Sequence, residues 1–257
     1  MGKELKDSVT FIMTSCNRFD LLGPTLQSFL DYNTHPIEQY IFIEDSEKIQ
    51  LLEETIQQFP EVYEKALLLH NSPKLGQIKS IDRAYSHVKT DYIFHCEEDW
   101  DFYRKGFIED SLELLKEDES IINVWLRELD DTNGHTFDDT ILHTKNGLAY
   151  HLLDTNYQDT WHGFTFNPAI KRFSDYTVIA PFEQVGHEAE ISDAYYKLGY
   201  KGAILLEGSV KHEGWHRRVL DADKKRSKII LETDAWLKKK KASFYKALGL
   251  FGKKYQS

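Results

Sequence analysis

The chain has 257 residues, of which 41% are hydrophobic and 29% are charged, and its formal net charge is -10. This composition allows a sizeable core, which we expect in one α/β domain with a C-terminal tail, and the negative charge argues against general nucleic-acid binding. The sequence shows no run of about 18 apolar residues and no N-terminal signal pattern, so we expect no membrane span and predict a cytoplasmic location.

Patterns typical of strands and helices alternate through the first hundred residues. Short β-rich runs at 8–13, 39–43, 66–69 and 91–95 are separated by segments with helical spacing of apolar residues at 21–32, 49–59 and 77–88. This alternation predicts an α/β fold with a mostly parallel central sheet and helices on both faces.

Polar residues follow the first, second and fourth predicted strands, at 14–18, 44–46 and 97–101. In open α/β sheets the ligand crevice lies at the carboxyl ends of the strands, so we expect these loops to share one cleft. Glu97 and Asp99 lie two residues apart, and both are able to bind one hard cation beside a diphosphate, with Asp99 as the first choice. The alternative is a solvated acidic turn.

The regular alternation fades after residue 117. Segment 123–176 is rich in Asp, Thr, His and aromatic residues, with weaker strand signals near Ile141 and Tyr150, and we assign it to the substrate side of the fold. Order returns with a helix at 188–198 that ends at Gly199, a strand at 202–206 and the segment 210–215.

Three segments carry a resemblance to a known family by their order and spacing: TSCNRFDLLGPTLQSF, FIEDSE and SPKLGQIKSIDRAYSHVKTDYIFHCEEDW. They are similar to the first strand-loop-helix, the acidic turn and the metal-motif segment of family 2 and related GT-A glycosyltransferases. The resemblance implies a GT-A fold and transfer of a hexosyl or related sugar from a nucleoside-diphosphate donor to an acceptor hydroxyl. It implies one catalytic domain at 1–218, with a nucleotide-binding half at 1–101 and an acceptor-binding half at 102–218.

The same resemblance assigns donor-binding residues. Asp45 matches the carboxylate that pairs with the base, and Glu97-Glu98-Asp99 stands where the family has an Asp-x-Asp-type metal motif. The predicted donor-binding set is Thr14, Ser15, Arg18, Asp45, Gly76, Gln77, Glu97 and Glu98. Two alternatives stay open: Asp45 only caps the following helix, and Arg18 is a surface charge.

Two later segments extend the resemblance. GHEAEISDAYYKLGYKGAILL is similar to the helix that carries the catalytic base, which assigns this role to Glu188, with Glu190 as the neighbouring alternative. VKHEGW is similar to a segment that supplies a histidine to the metal, which assigns His212 to a Mn²⁺ or Mg²⁺ site with Asp99. Inversion is the implied stereochemistry. Glu188 as an acid favoured by the helix dipole and His212 as an ordinary strand-end histidine are the alternatives.

The acceptor side offers weaker signals. Aromatic rings pack against the apolar face of sugars, so Trp161 or Phe164 is predicted to form an acceptor wall, with core packing as the alternative. The tail at 219–257 is predicted to be a basic helix able to contact an anionic membrane surface, and the alternatives are a helix packed on its own domain or a disordered tail. The resemblance implies a glycan or lipid-linked acceptor and a part in polysaccharide synthesis.

Other functions fit the same acidic cleft. They are a catalytically silent sugar-nucleotide or glycan-binding module, a metal-dependent nucleotidyltransferase and a metal-dependent hydrolase. A two-metal hydrolase needs several His and Asp ligands, whereas the sequence offers one assignable histidine.

Overall fold

The computed structural model describes residues 7–157 and 160–214 of the chain. The pattern of internal contacts divides the chain into two units, Met1–Val219 and Leu220–Ser257. The predicted basic tail helix lies outside the described residues. Within the two described ranges, every helix is too short or too polar to cross a membrane.

Strands and helices follow one another along the described residues. The strands are β1 (Val9–Ser15), β2 (Gln39–Glu44), β3 (Ala66–His70), β4 (Tyr92–Glu97), β5 (Trp100–Phe102), β6 (Ile121–Trp125), β7 (Leu142–His143), β8 (Ala149–Leu152), β9 (Ala169–Arg172), β10 (Lys201–Leu205) and β11 (Val210–His212). The helices are α1 (Phe19–Tyr32), α2 (Ile49–Ile56), α3 (Pro60–Tyr63), α4 (Gln77–Tyr85), α5 (Phe107–Glu117), α6 (Phe173–Ile179), α7 (Phe182–Val185) and α8 (Glu188–Lys197).

The central sheet has the strand order β3-β2-β1-β4-β9. Strands β1 to β4 are parallel to one another, and β9 is antiparallel to β4. Every residue of β1 is buried, as expected for a strand in the middle of a sheet that is covered on both sides. The predicted α/β fold with a mostly parallel central sheet is confirmed.

Two apolar layers cover this sheet, because side chains alternate between the faces of a strand. Phe11 and Met13 pack on one face with α1, α2 and α5, and the Phe11 and Phe29 rings lie 4.3 Å apart. Ile12 packs on the other face with α4, α7 and α8. Burial of each large aromatic or aliphatic side chain stabilises the fold by about 1.5–3 kcal/mol, so these layers hold the strand ends in place.

A second sheet and a two-stranded ribbon complete the fold. The second sheet has the order β6-β10-β8-β7, and the ribbon pairs β11 antiparallel with β5. The signals near Ile141 and Tyr150 correspond to β7 and β8, whereas the sequence analysis did not predict β5, β6 or β9. Strand β9 comes from the segment assigned to the acceptor half but pairs with β4 in the central sheet.

The predicted helix at 49–59 is shorter in the structure. Helix α2 ends at Ile56, and Pro60 begins the separate helix α3. Proline has no N–H to donate to the preceding turn, but it fits the first position of a new helix. The sequence expectation is therefore corrected at its C-terminal end.

Candidate active site

The predicted cleft lies at the carboxyl ends of the parallel strands. Strand β1 pairs with β2 on one side and with β4 on the other. The loops that leave β1, β2 and β4 therefore emerge at one edge of the sheet, on either side of a point where the strand order changes direction, and such points form ligand crevices. The loop at 97–99 contacts the β1 loop directly, because Glu98 accepts hydrogen bonds from the Cys16 N–H and the Arg18 guanidinium.

Asp99 and His212 meet in this cleft although 113 positions separate them. The Nε2 atom of His212 lies 3.1 Å from Oδ2 of Asp99. Strand pairing explains the meeting, because β11 lies beside β5 with His212 opposite Trp100, the residue after Asp99. The Trp100 and His212 rings are 4.8 Å apart, and the Glu213 N–H donates to the Asp99 carbonyl at 2.9 Å.

Gly214 lies directly against the Asp99 carboxylate. A Cβ atom at this position would lie 1.9 Å from Oδ2 and 2.7 Å from Cγ of Asp99. Only a residue without a side chain lets the backbone after β11 approach Asp99 this closely. The glycine of the HEGW sequence therefore has a steric reason that the sequence analysis did not identify.

Arg18 occupies the centre of the acidic cluster. Its Nε donates to Oε1 of Glu98 at 2.7 Å, and its Nη1 donates to Oδ2 of Asp99 at 2.8 Å. The Arg18 side chain is 13% exposed, and those of Glu98 and Asp99 are 5% and 6% exposed. Charge-assisted hydrogen bonds of this kind are strong when desolvated, so Arg18 holds the loops after β1 and β4 together and is not a surface charge.

The surroundings act differently on the three acidic residues of β4 and its loop. Burial raises the pKa of Glu98, and the Arg18 contacts only partly oppose this. Burial, followed by the charges of Asp99 and Glu98, raises the pKa of Glu97 well above its usual value. Burial would also raise the pKa of Asp99, but the His212 hydrogen bond and the Arg18 charge outweigh it and lower that pKa. Asp99 is therefore the member of the cluster best suited to stay ionised.

The geometry of Asp99 and His212 fits two neighbouring ligands of one cation. Adjacent ligands of an octahedral metal at about 2.1 Å lie about 3 Å apart, which matches the observed separation of 3.1 Å. In the described part of the chain, no three His, Cys, Asp or Glu side chains converge to form a fuller set. A cation held here would need further ligands from a diphosphate or water, and the Arg18 guanidinium would have to leave Oδ2 of Asp99.

Asp45 is a buried organiser of the loop before α4. Its carboxylate accepts hydrogen bonds from the N–H groups of Leu75 and Gly76 and from Nδ2 of Asn71, all at 2.7–2.8 Å. The preceding Glu44 accepts from Ser15 Oγ at 2.5 Å and from the Asn17 N–H at 2.8 Å. These two acids shape the loops of the expected donor site. Contact of Asp45 with a base stays a prediction.

The remaining predicted donor-binding residues lie around the same edge. Gln77, at the start of α4, donates from Nε2 to Oε1 of Glu97 at 2.8 Å. Gly76 precedes this helix with φ of 89°, a conformation that favours glycine. Thr14 lies buried at the end of β1, opposite Glu97 in the β1–β4 register. The structure thus brings the predicted donor-binding set together, while its roles stay predictions.

The structure distinguishes Glu188 from Glu190 at the start of α8. Glu190 closes a capping box, because its carboxylate accepts the His187 N–H at 2.9 Å. Glu188 turns toward the segment before β9 and accepts the Phe166 N–H at 2.8 Å and the Thr165 hydroxyl at 3.2 Å. Glu190 is thus engaged in capping, which favours Glu188 as the candidate base.

The two predicted acceptor aromatics differ in burial. Phe164 is 1% exposed and packs against Tyr195 and Phe166, with ring centroids 5.1 Å and 5.2 Å away. It is a core residue, so the expectation that Phe164 lines the acceptor site is corrected. Trp161 is partly exposed, and its ring lies 4.9 Å from that of His135. Its acceptor role stays a prediction.

Another cleft lies at the opposite end of the sheet. It has a volume of about 690 Å³ and is lined by residues that include Tyr92, Lys116 and Arg172. Both of these basic side chains are already paired, Arg172 with Asp175 and Lys116 with Asp7. This cleft is remote from the acidic cluster, and its basic side chains are engaged, so we do not assign the active site to it.

Comparisons with known proteins identify the family and the fold. The sequence model described as "Glycosyl transferase family 2" matches residues 10–176, which is well over half of the chain. No curated protein sequence matches the chain.

Solved structures share the fold at low sequence identity. A mannosyltransferase from Pyrobaculum calidifontis in complex with GDP-Man and Mn²⁺ superposes with a TM-score of 0.57 and 11% identity, covering 81% of this chain and 58% of that one. GalNAc-T7 with UDP, GalNAc and Mn²⁺ superposes with a TM-score of 0.60 and 12% identity, covering 86% of this chain and 46% of that one. TarS 1–349 from S. aureus superposes with a TM-score of 0.56 and 12% identity, covering 79% of this chain and 59% of that one.

The chain therefore spans about half the length of these solved proteins, and at such identities the likeness shows the fold alone. The predicted GT-A fold is confirmed by these neighbours. The sequence match adds the family, because it includes β1 to β4, the acidic cluster and β9. The chain belongs to glycosyl transferase family 2.

Proposed function

We propose that this glycosyltransferase domain moves a sugar from a nucleoside-diphosphate donor to an acceptor hydroxyl, with inversion and with the help of a divalent cation. The observation that carries the proposal is the contact between Asp99 and His212, at 3.1 Å, where the β1, β2 and β4 loops converge. A carboxylate and an imidazole at this spacing are suitable ligands for Mn²⁺ or Mg²⁺. Two of the structural neighbours were solved with Mn²⁺ and with a nucleotide or sugar nucleotide, which supports the same chemistry here.

The acidic cluster would hold the donor end of the reaction. A bound divalent cation supplies electrostatic stabilisation of the charge that develops on the leaving diphosphate. Asp99 and His212 would hold the cation, and Arg18, displaced from Oδ2 of Asp99, would remain a positive group for the phosphates. The N-terminus of α4 at Gln77 adds a favourable dipole for an anion.

Glu188 is the proposed general base. Its Oε2 is oriented by the Phe166 N–H and the Thr165 hydroxyl, so the carboxylate has a defined direction at the edge of the sheet. An acceptor hydroxyl that attacks the anomeric carbon from the face opposite the diphosphate must lose its proton, and Glu188 would take it. Attack from the opposite face inverts the configuration, as in single-displacement glycosidases.

The proposal extends to the class of acceptor, the membrane contact and the cellular location. We propose a glycan or lipid-linked acceptor for polysaccharide synthesis, with Trp161 at its edge and a membrane contact through the tail at 219–257. The family match and the partly exposed Trp161 ring support the acceptor class. The cytoplasmic location expected from the sequence is part of the same proposal.

The test combines donor binding with turnover. Thermal-shift panels of nucleoside diphosphates and their sugars, with and without Mn²⁺, identify the donor, because a ligand of the native state raises the melting temperature. With that donor, Glu188→Gln is expected to reduce turnover by at least 100-fold while donor affinity is kept. Glu190→Gln is the matched control and is expected to retain turnover.

Three results would contradict the proposal. The first is donor binding and turnover that do not depend on Mn²⁺ or Mg²⁺, which would remove the cation role. The second is full turnover in Glu188→Gln, which would remove the base. The third is donor binding without turnover onto any acceptor in the wild-type chain, which would favour a silent sugar-nucleotide binding module.

A further inference from the structure

A buried lysine lies behind the proposed base and has no place in the function described so far. Lys171 is in β9, directly opposite Ile93 of β4. Cross-strand partners point to the same face of a sheet, so Lys171 projects into the apolar layer that contains Ile93, α4 and α8. The residue is 4% exposed, although lysine is rarely buried to this extent.

The ammonium group lacks the usual compensation for burial. Among the described residues, no hydrogen-bond acceptor lies within reach of Nζ. Its one described direct partner is the face of Phe164, whose ring centroid is 5.7 Å away. A buried charge without a hydrogen-bonded counterion destabilises the fold, and an apolar side chain of similar length would pack here without that cost. The fold alone therefore gives no reason for a lysine at this position.

The electrostatic neighbours of Lys171 are the carboxylates of the active site. Burial lowers the pKa of Lys171 to about 7, and the charges of Glu188 and then Glu97 oppose that change. The other titratable groups around it are Cys96 and His95 of β4. Burial raises the pKa of Cys96 well above its usual value and lowers the pKa of His95 well below its usual value. Both side chains are therefore uncharged near neutral pH.

The direction of β4 explains this arrangement. Ile93, His95 and Glu97 lie on one face of the strand and lead from the position of Lys171 to the catalytic edge of the sheet. Glu188 reaches the same region from α8, because it bonds to the segment immediately before β9. The lysine therefore lies beneath the edge at which Glu188 would meet the acceptor.

We propose that Lys171 is a positioning residue whose buried positive charge keeps the Glu188 carboxylate ionised for proton abstraction. This inference rests on the proposed role of Glu188 as the base. Lys171 does not touch the acceptor. It acts through an apolar medium in which a unit charge has a larger effect than in water. When Lys171 loses its proton, Glu188 loses this support.

The test measures the ionisation of Glu188 directly, without substrate. Carbon-13 NMR of the intact chain labelled at glutamate carboxyl carbons follows each titration, and the signal missing from Glu188→Gln assigns Glu188. In Lys171→Met, an apolar residue of similar length, we expect the Glu188 midpoint to rise by about one pH unit or more. Lys171→Arg keeps the positive charge and is expected to have the wild-type Glu188 midpoint. Lys79→Met, the same substitution at an exposed site in α4, is expected to leave it unchanged.

A second readout needs no variant of Lys171. In the wild-type chain, labelled also at lysine side-chain carbons, the Glu188 signal is expected to show a second, smaller step near pH 7, at the pH where the Lys171 side-chain signal also titrates. An unchanged Glu188 midpoint in Lys171→Met, an equal shift in Lys79→Met, or a wild-type signal without the second step would overturn the inference.

Activity separates this inference from the proposed function. If a donor turns over, the acid limb of the kcat/KM profile is expected to move upward in Lys171→Met by the same amount as the Glu188 midpoint. If no donor turns over but the NMR coupling is present, the proposed function fails and the electrostatic link between Lys171 and Glu188 stands.

Discussion

Gly214→Ala tests the geometry on which the proposed cation site depends. The added Cβ would lie 1.9 Å from Oδ2 and 2.9 Å from Cβ of Asp99. Side-chain carbon atoms essentially never approach closer than 3.0 Å, so the Asp99 carboxylate or the backbone after β11 must move by roughly 1 Å. Asp99 is 5% exposed and has little space in which to move.

The displacement acts on contacts that end at one oxygen atom. Oδ2 of Asp99 accepts from Arg18 Nη1 at 2.8 Å and faces His212 Nε2 at 3.1 Å, and a movement of about 1 Å breaks at least one of these contacts. Overpacking of this kind destabilises a protein by about 1–3 kcal/mol. We also expect Mn²⁺ affinity, measured by calorimetry with a nucleoside diphosphate present, to fall at least tenfold.

Urea unfolding followed by tryptophan fluorescence measures the loss of stability. Gly23→Ala in α1 is the matched control, because a Cβ there would meet only Thr55 Cγ2 at 3.7 Å, an ordinary contact distance. Alanine is favoured over glycine inside a helix, but Gly23 precedes Pro24, whose ring disfavours a helical residue with a side chain before it. These effects oppose each other, so this control is expected to stay close to wild-type stability and to keep wild-type Mn²⁺ affinity. Wild-type stability together with wild-type Mn²⁺ affinity in Gly214→Ala would refute the close approach of Gly214 to Asp99.

Three further predictions concern residues around the site. In Lys171→Met, stability is expected to exceed that of the wild type below about pH 7, by roughly 5 kcal/mol at most, since the pKa falls from 10.5 to about 7 on folding. As pH rises, folded wild type releases the Lys171 proton at lower pH than the unfolded chain does. The difference in free energy of unfolding between variant and wild type should therefore shrink between pH 7 and 10.5 in urea titrations. A constant difference would contradict the burial of a charged lysine. Asp45→Asn is expected to speed hydrogen exchange of the Leu75 and Gly76 amides about tenfold or more, and unchanged exchange would show that Asp45 does not hold this loop. Asp82→Ala removes the acceptor for Tyr176 and for two N–H groups of α7, and should cost about 1–3 kcal/mol in urea unfolding while Mn²⁺ affinity is retained. If Asp82→Ala lost as much Mn²⁺ affinity as Gly214→Ala, the cation site would be responding to the loss of stability alone.

The sequence predicted the first half of the molecule well because its signals there are local. The run that forms β1 consists of apolar and β-branched residues up to Met13, the helix that follows has apolar residues at helical spacing, and polar residues mark the loop between them. The same reasoning located the start of α8 at Glu188. Periods of two and 3.6 residues, with caps and turns at their ends, depend on neighbours in the chain.

Short strands in the second half gave much weaker signals. Strand β9 has four residues, and one of them is Lys171, so no alternation of apolar and polar residues identifies it. Strand β5 has three residues inside an acidic segment that looks like a loop. Both strands exist because they find partners far away in the chain, β4 for β9 and β11 for β5.

Burial decided the roles of several aromatic and charged residues. Phe164 and Trp161 look equally suited to a sugar, but the structure encloses Phe164 between Tyr195 and Phe166. Asp45 reads as a free acid after a strand, yet three donors surround its carboxylate. Such differences depend on which elements cover a side chain, and local patterns do not contain that information.

The sequence by itself determined the α/β class, the position of the acidic residues at strand ends, and a family resemblance that the sequence-model match supports. The tertiary structure alone decided that the imidazole of residue 212 lies against the carboxylate of Asp99, that only glycine fits at position 214 beside it, and that Lys171 lies buried near Glu188. The physical reason is the range of the interactions. Helix and strand patterns arise from residues a few positions apart, whereas the site arises from strand pairing and exclusion of water between segments 80 to 113 positions apart.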